Sequence, residues 1–233
     1  RRILYSLLMT ATLGLSSYES FLSENPKDQI TEEQAYQNST LLYLNTVASL
    51  YTQVGANGGG AGLQGTDRGL YDLNTFTTDE AMLPTRGGDW YDGGQYREIY
   101  MHTWTSQTSR VKSAWKAATE AIGTCNEAIR KLQNSEILTE EEKAQDVADL
   151  RGVRAFWIYV MMDYWGNIPL LTEFHPTDKV FPGNSSRQEV FDWLIQEVEE
   201  IKDICPPATT ENYGSFTQGA AYSLLAKLYL NAE

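Results

Sequence analysis

The chain has 233 residues, 42% of them hydrophobic and 21% charged. That is enough apolar material for a buried core and too balanced a composition for wholesale disorder. Lys and Arg total 18 against 31 Asp and Glu, a net charge of −13 that repels phosphate backbones and argues against nucleic-acid binding. Two cysteines, Cys125 and Cys205, rule out a disulfide framework, and two histidines, His102 and His175, leave little room for a metal site. Fourteen tyrosines and six tryptophans are many for so acidic a chain.

Arg1 and Arg2 precede an apolar run from Ile3 to Leu15. The run is too short to span a membrane and has the length and order of a signal peptide. The other reading is a buried N-terminal helix. Residues 1–17 are therefore expected to be a signal peptide, with 18–233 as the mature part. Leu15-Ser16-Ser17 has the form of a lipoprotein box, but Tyr18 stands where that box needs a cysteine. The helical pattern is still running at Glu233, so the chain reads as the N-terminal portion of a longer protein.

Residues 18–30 form a polar lead. Thr31-Glu32-Glu33-Gln34 matches a capping box, and Tyr36, Tyr43, Val47, Leu50, Tyr51 and Val54 follow at helical spacing, predicting a first helix over 32–54 that stops at Gly55. Residues 55–107 are crowded with glycine, from Gly55 to Gly69 and again at Gly87, Gly88, Gly93 and Gly94, and carry no helical period. Their aromatic content argues for an ordered, loop-rich insertion. Gly69–Phe76 and Asn167–Leu171 read as short extended pieces.

A helical stripe returns at Ser109 with Val111, Trp115, Ala118, Ile122, Cys125, Ile129 and Leu132. A capping box at Thr139 and Glu142 opens the next helix, with Val147, Leu150, Arg154, Trp157, Met161 and Tyr164 as its stripe and Gly166 as its stop. A third box at Ser186 and Glu189 precedes Val190, Leu194, Val198 and Ile201, and Pro206 and Pro207 forbid continuation. Thr217 opens a last helix through Ala220, Ala221, Leu224, Leu225, Leu228 and Tyr229. Small and aromatic residues on the buried stripes suit stacked, tetratricopeptide-like helical hairpins, though no strict 34-residue period is visible. The fold class is mostly α.

Several segments, in order, resemble the SusD/RagB family of nutrient-binding outer-membrane lipoproteins. They are Glu19-Ser20-Phe21-Leu22-Ser23 with Pro26; Thr78-Asp79-Glu80; Pro84-Thr85-Arg86-Gly87; Asp89 to Gly94; His102-Thr103-Trp104; Arg151 to Tyr159; Tyr164-Trp165-Gly166-Asn167-Ile168-Pro169-Leu170; and Gly219 to Leu230. The resemblance implies the SusD-like α-α superhelix. It also implies binding of glycans or other nutrients at the cell surface, with no enzyme activity and no cofactor. The implied partner is a SusC-like TonB-dependent transporter, and the implied location is the outer membrane by a lipid anchor. Tyr18 departs from the family at the lipid-bearing position.

Sugars present apolar faces to flat rings and hydroxyls to polar groups at the ring edge. Within 55–107, the candidate ligand-binding residues are Arg86, Asp89, Trp90, Tyr91 and Asp92. Arg86 supplies a fork of donors, Asp89 and Asp92 supply acceptors, and Trp90 and Tyr91 supply platforms. The competing reading packs Trp90 onto the helical body and uses the aspartates as turn caps. Asp79 and Glu80, as sequence neighbours, rarely face each other across a bond as a glycosidase pair does, with roughly 5–9.5 Å between carboxyls; Asp79 with a distant acid leaves a surface glycoside hydrolase as a third reading. Gly58-Gly59-Gly60-Ala61-Gly62 lacks the ending of a phosphate loop. His102 reads as a structural hydrogen-bonding residue and His175 as a loop residue. Cys125 and Cys205 either pair or stay as separate buried thiols. Arg151 and Arg154 read as interhelical pairing or aromatic stacking. The rival to glycan capture is an exported tetratricopeptide-like interaction scaffold with no small ligand, in which Trp90 and Tyr91 would be buried.

Overall fold

The structure is a computed structural model that describes residues 35–55, 70–89, 91–174 and 182–232. The chain divides into two units, Arg1–Gln37 and Asn38–Glu233, and all elements below belong to the second. The expected signal peptide, the Thr31–Gln34 box, the glycine run from Gly58 to Gly62, Trp90 and His175 lie outside the described residues.

Helix α1 (Ser39–Tyr43) continues through a π-helical stretch, Leu44–Ala48, into α2 (Ser49–Gly55). Within the described residues, the expected helix over 32–54 is interrupted over 36–38 and resumes at Ser39. Asn38 is extended, and its side chain accepts from the Leu41 backbone N–H at 3.0 Å. Asn satisfies an orphan donor this way better than it continues a helix. The π stretch keeps Leu42, Thr46, Val47 and Leu50 buried on one side.

Among the described residues of 55–107 lie two short helices, α3 (Leu70–Phe76) and α4 (Gln95–Tyr100), the latter preceded by a 3₁₀ turn, Asp92–Gly94. The extended piece expected at Gly69–Phe76 is thus corrected to a helix over Leu70–Phe76. Its Leu70, Asp72, Leu73 and Thr75 are buried, a spacing that a strand, with its period of 2, does not produce. The piece expected at Asn167–Leu171 is extended at Ile168, which exchanges two backbone hydrogen bonds with Ser185 at 3.2 and 2.8 Å.

Four longer helices form the body: α5 (Ser109–Gln133), α6 (Glu140–Trp165), α7 (Arg187–Ile201) and α8 (Gln218–Leu230). The capping boxes at Thr139/Glu142 and Ser186/Glu189 are formed, and the Thr217 side chain accepts from Ala220 N–H. A link over 134–139 reaches about 25 Å at full extension. Helix α5 is about 37 Å long, so α5 and α6 must pack antiparallel. Each later helix packs on its predecessor. Alanines 114, 118, 121 and 128 on α5 are buried and allow close approach.

Helix α6 lies between α5 and α7. Its burial from Ala148 to Met162 goes almost round its whole circumference, beyond the single stripe that the sequence predicts. A helix packed on both flanks needs such a surface. Gly152 meets Phe216, whose ring would stand 2.1 Å from an added Cβ, so only glycine admits the ring. None of the described helices is long and apolar enough to cross a membrane.

Two polar clusters join these helices. In the first, Arg154 of α6 is 6% exposed and Glu197 of α7 is 7% exposed. Arg154 donates to Glu197 Oε1 at 2.6 Å, to Asn126 Oδ1 at 2.8 Å and to the Thr172 carbonyl at 2.6 Å. Arg151 donates two parallel bonds to Glu197 at 2.9 and 2.7 Å, and one to Glu200 at 2.6 Å. Arg154 also sits 5.6 Å from the centre of the Trp193 ring. Both arginines therefore pair between helices, as their place in the sequence suggests. Burial works to raise the Glu197 carboxyl, but its hydrogen bonds to Arg151 and the two guanidinium charges outweigh burial and hold it low. In the second cluster, the Tyr51 hydroxyl donates to Asp149, and Phe216 N–H donates to Tyr51 Oη at 2.6 Å and Asp149 Oδ1 at 3.2 Å. This ties α2, α6 and the segment before α8 together.

Removing the acid of the first cluster leaves Arg154 buried without its counter-charge. Glu197→Ala is expected to cost about 3–5 kcal/mol in urea unfolding, whereas Glu200→Ala, at the exposed end, is expected to change little. Burial, opposed by the Tyr51 and Phe216 hydrogen bonds, raises the Asp149 carboxyl to about 6, against an unfolded value near 4. Between those values the folded state holds the proton and the unfolded chain does not. Asp149 therefore adds stability as pH falls from about 6 to about 4 and withdraws it as pH rises through 6. In urea melts at a series of pH values, Asp149→Asn is expected to remove that contribution. The difference between wild type and variant should move by roughly 2–3 kcal/mol between pH 4 and pH 7.

Candidate functional site

The predicted ligand residues begin on a tight turn. Arg86 N–H donates to Asp89 O at 3.2 Å, and Asp89 N–H donates to Arg86 O at 3.0 Å. Gly87 bends the chain with φ +63°, a conformation that glycine alone adopts without cost. Arg86 and Asp89 are exposed, and Tyr91 is 59% exposed. Trp90, between them, is outside the described residues. The turn thus displays a donor fork, an acceptor and an aromatic ring outwards.

Asp92 turns the other way. Its backbone takes φ +39°, and its Oδ2 accepts from Arg110 at 2.6 Å. Arg110, at the start of α5, is 9% exposed. It also donates to the Tyr96 hydroxyl at 3.1 Å and lies 5.2 Å from the centre of that ring. Tyr96 in turn donates to buried Asp72 at 3.4 Å and meets Phe76 edge-on at 5.4 Å. A chain of polar contacts therefore runs from Asp92 into the body and anchors the turn. Asp92 is part of that anchor, with 43% of its side chain still accessible.

A cleft of about 640 Å³ opens next to the start of α5, where Val111 lines it. Its other walls come from three places: the end of α3 and the residue after it (Leu73, Asn74, Thr77), the loop from His102 to Ser106, and the C-terminal turn of α6 (Asp163, Tyr164, Trp165). The Tyr164 hydroxyl donates to the Leu70 carbonyl at 2.8 Å. Burial, then the nearby Asp163 charge, push its phenol pKa up, so it stays a neutral donor. His102 bonds to the Thr77 carbonyl at 2.8 Å, the structural role expected of it. Sequence reasoning did not assemble this cleft. His102, Trp104, Tyr164 and Trp165 stand out in the sequence, but only as parts of separate motifs.

A second cavity of about 550 Å³ lies over the Arg154–Glu197 cluster, where the charged groups are engaged with one another. Asp79 and Glu80 are both exposed on the bend after α3. Cys125 and Cys205 are buried and unpaired with each other. Among the described residues, no group of three or more His, Cys, Asp or Glu is placed to hold a metal ion.

Comparison with known proteins gives these features a family. The model of a SusD-like family, described as starch-binding and associating with the outer membrane, matches residues 20–230. Among curated proteins, a SusD-like protein of Bacteroides ovatus is 22% identical over 227 residues, covering 95% of this chain and 38% of its own length. The starch-binding protein SusD of Bacteroides thetaiotaomicron is 23% identical, with 98% of this chain and 41% of that protein covered. The chain thus spans about two fifths of the length of these relatives. A solved laminarin-binding SusD-like protein superposes with a TM-score of 0.70 at 21% identity, covering 84% of this chain and 40% of its own. The mostly helical, tetratricopeptide-like architecture that the sequence suggests is the fold of these neighbours. With a family model matching nearly its whole length, this chain belongs to the SusD-like family.

Proposed function

We propose that this chain is the ligand-capturing part of a surface protein that binds glycans or related oligosaccharide nutrients and passes them to a SusC-like TonB-dependent transporter in the outer membrane. The observation that carries the reading is the family match over residues 20–230, joined to a turn that holds Tyr91 59% exposed beside Arg86 and Asp89. A single exposed tyrosine is ordinary on a protein surface; what favours a ligand here is its place beside a donor and an acceptor. A sugar uses such a ring with its C–H face, while its hydroxyls take the neighbouring donors and acceptors. The scaffold alternative requires Tyr91 to be buried, and its exposure weighs against that.

In this reading Trp90 and Tyr91 are the platforms, Arg86 the donor, and Asp89 and Asp92 the acceptors. Asp92 acts with its orientation set by Arg110. The protein binds and does not cleave. A relative binds laminarin and another binds starch, so oligosaccharides of laminarin and of starch are the first ligands to try.

Calorimetric titration of the 233-residue chain with a laminarin hexasaccharide and with maltohexaose tests the proposal. Binding of at least one is expected, with no new reducing ends after prolonged incubation. Trp90→Ala is expected to weaken binding by about tenfold or more, equivalent to roughly 1.4 kcal/mol. Unchanged affinity in a folded variant removes Trp90 from the site.

A further inference from the structure

We infer that the cleft between α3, the His102–Ser106 loop and the end of α6 is a second sugar-binding subsite, separate from the Arg86–Asp92 turn and selective for neutral hexose units. This inference rests on the glycan-capture reading and adds a place and a ligand chemistry to it.

The first argument is composition. In this cleft the indole of Trp104 is 40% exposed. Trp165 and Tyr164 stand in the wall, and Asn74, Thr77, Ser106 and Asp163 supply polar atoms. A broad apolar ring edged by an amide, hydroxyls and one carboxylate matches a pyranose, which presents an apolar face and a rim of hydroxyls. The volume of about 640 Å³ is in the range of small-ligand sites and has room for more than one sugar ring.

The second argument is rigidity. Trp104 rests on His102, with centroids 5.1 Å apart and planes tilted by 47°. His102 is pinned to α3 by its bond to the Thr77 carbonyl, 2.8 Å. Because a carbonyl only accepts, Nε2 carries the proton. The loop backbone is held at further points: His102 N–H to Ile99 O at 3.2 Å, Thr103 N–H to Glu98 O at 2.9 Å, and Thr105 N–H to Thr108 Oγ1 at 3.0 Å. On the opposite wall Trp165 meets Trp115 edge-on at 5.1 Å and 88°, and Tyr164 is tied to Leu70 O. The rings are therefore preset, which lowers the ordering cost of binding.

The third argument is strain. His102 takes φ +56°, left-handed backbone that is uncommon outside glycine and is stored where the surrounding structure imposes it. Here the imposed geometry turns the next residues so that Trp104 stands half-open over the cleft.

The fourth argument is charge. The lining has one carboxylate, Asp163, and no Lys or Arg. The whole chain carries a net charge of −13. Uronates and sulfated sugars would meet Asp163 without a compensating cation. Neutral hexoses meet a hydroxyl acceptor.

The test is titration of the 233-residue chain by calorimetry with laminarin hexasaccharide, maltohexaose and oligogalacturonate, for wild type, Trp104→Ala, Trp104→Phe, Asp163→Asn and Trp90→Ala, with near-ultraviolet circular dichroism as the fold control. The expected result is that Asp163→Asn and Trp104→Ala each weaken a neutral hexasaccharide at least tenfold while Trp104→Phe loses less. Oligogalacturonate is expected to bind wild type at least tenfold more weakly than the neutral oligomers. Asp163 is exposed, so its variant keeps the test decisive if Trp104→Ala fails to fold. Wild-type binding that Asp163→Asn leaves unchanged and only Trp90→Ala weakens overturns the subsite and leaves glycan capture standing. Equal or tighter binding of oligogalacturonate overturns the neutral selectivity. No binding of any oligosaccharide by wild type overturns both the subsite and the glycan-capture reading on which it rests.

Discussion

The buried ion pair between Arg154 and Glu197 is the constraint on which the remaining packing depends. Both side chains are buried, and each needs the other there. Arg154 reaches Glu197 on α7, Asn126 on α5 and the Thr172 carbonyl on the return segment. Asn126 in turn donates to the Leu171 and Glu173 carbonyls. One guanidinium therefore sets the mutual register of three helices and the path of the chain leaving α6. Apolar contacts alone would tolerate sliding by a turn. An unpaired buried charge does not.

That register has consequences at both ends of α6. Toward its N-terminal half, Asp149 and Gly152 receive Tyr51 from α2 and Phe216 from the segment before α8. At its C-terminus, Gly166 ends the helix with φ +70°, just past Tyr164 and Trp165 in the cleft wall. The middle of the helix is spent on the core, and its last turn lines the cleft. The Arg86–Asp92 turn is anchored in a similar way. Arg110 ties Asp92 to Tyr96, and Tyr96 to Asp72, so that an exposed turn stands on a buried polar support. Both candidate surfaces are thus loops held by side chains of rigid helices, which suits capture of a ligand without large rearrangement.

Much of the helical body was legible in advance because its signals are local. Thr139 with Glu142, and Ser186 with Glu189, are three residues apart and each satisfies donors of its own helix end. Gly166 and the Pro206-Pro207 pair act through their own backbone. Misreadings occurred where two local preferences compete or where context decides. Asn38 breaks the expected long first helix because its side chain prefers the cap. Leu70–Phe76 is helical because buried partners, including Tyr164 through the Leu70 carbonyl, reward that spacing. The wide burial of α6 was not legible, since a residue such as Asp149 or Arg154 does not announce that it will be enclosed.

The candidate functional surface divides along the same line. The Arg86–Asp92 segment could be nominated from sequence because its donors, acceptors and rings are consecutive residues. The outward display of Tyr91 and the inward turn of Asp92 could not, because they depend on Arg110 and Tyr96. The cleft was invisible: Thr77, Trp104 and Trp165 are far apart in the chain and meet only when α3 and α6 are brought together. By itself the sequence determined where the long helices of the body begin and stop, which of their faces are apolar and which family order the motifs follow. Those properties arise from backbone preferences and side chains a few residues apart. Tertiary structure alone decided which polar groups are buried as pairs, which rings stay open, and where a cavity forms. Those outcomes are set by contacts between residues dozens of positions apart, whose energies depend on enclosure and geometry rather than on residue type.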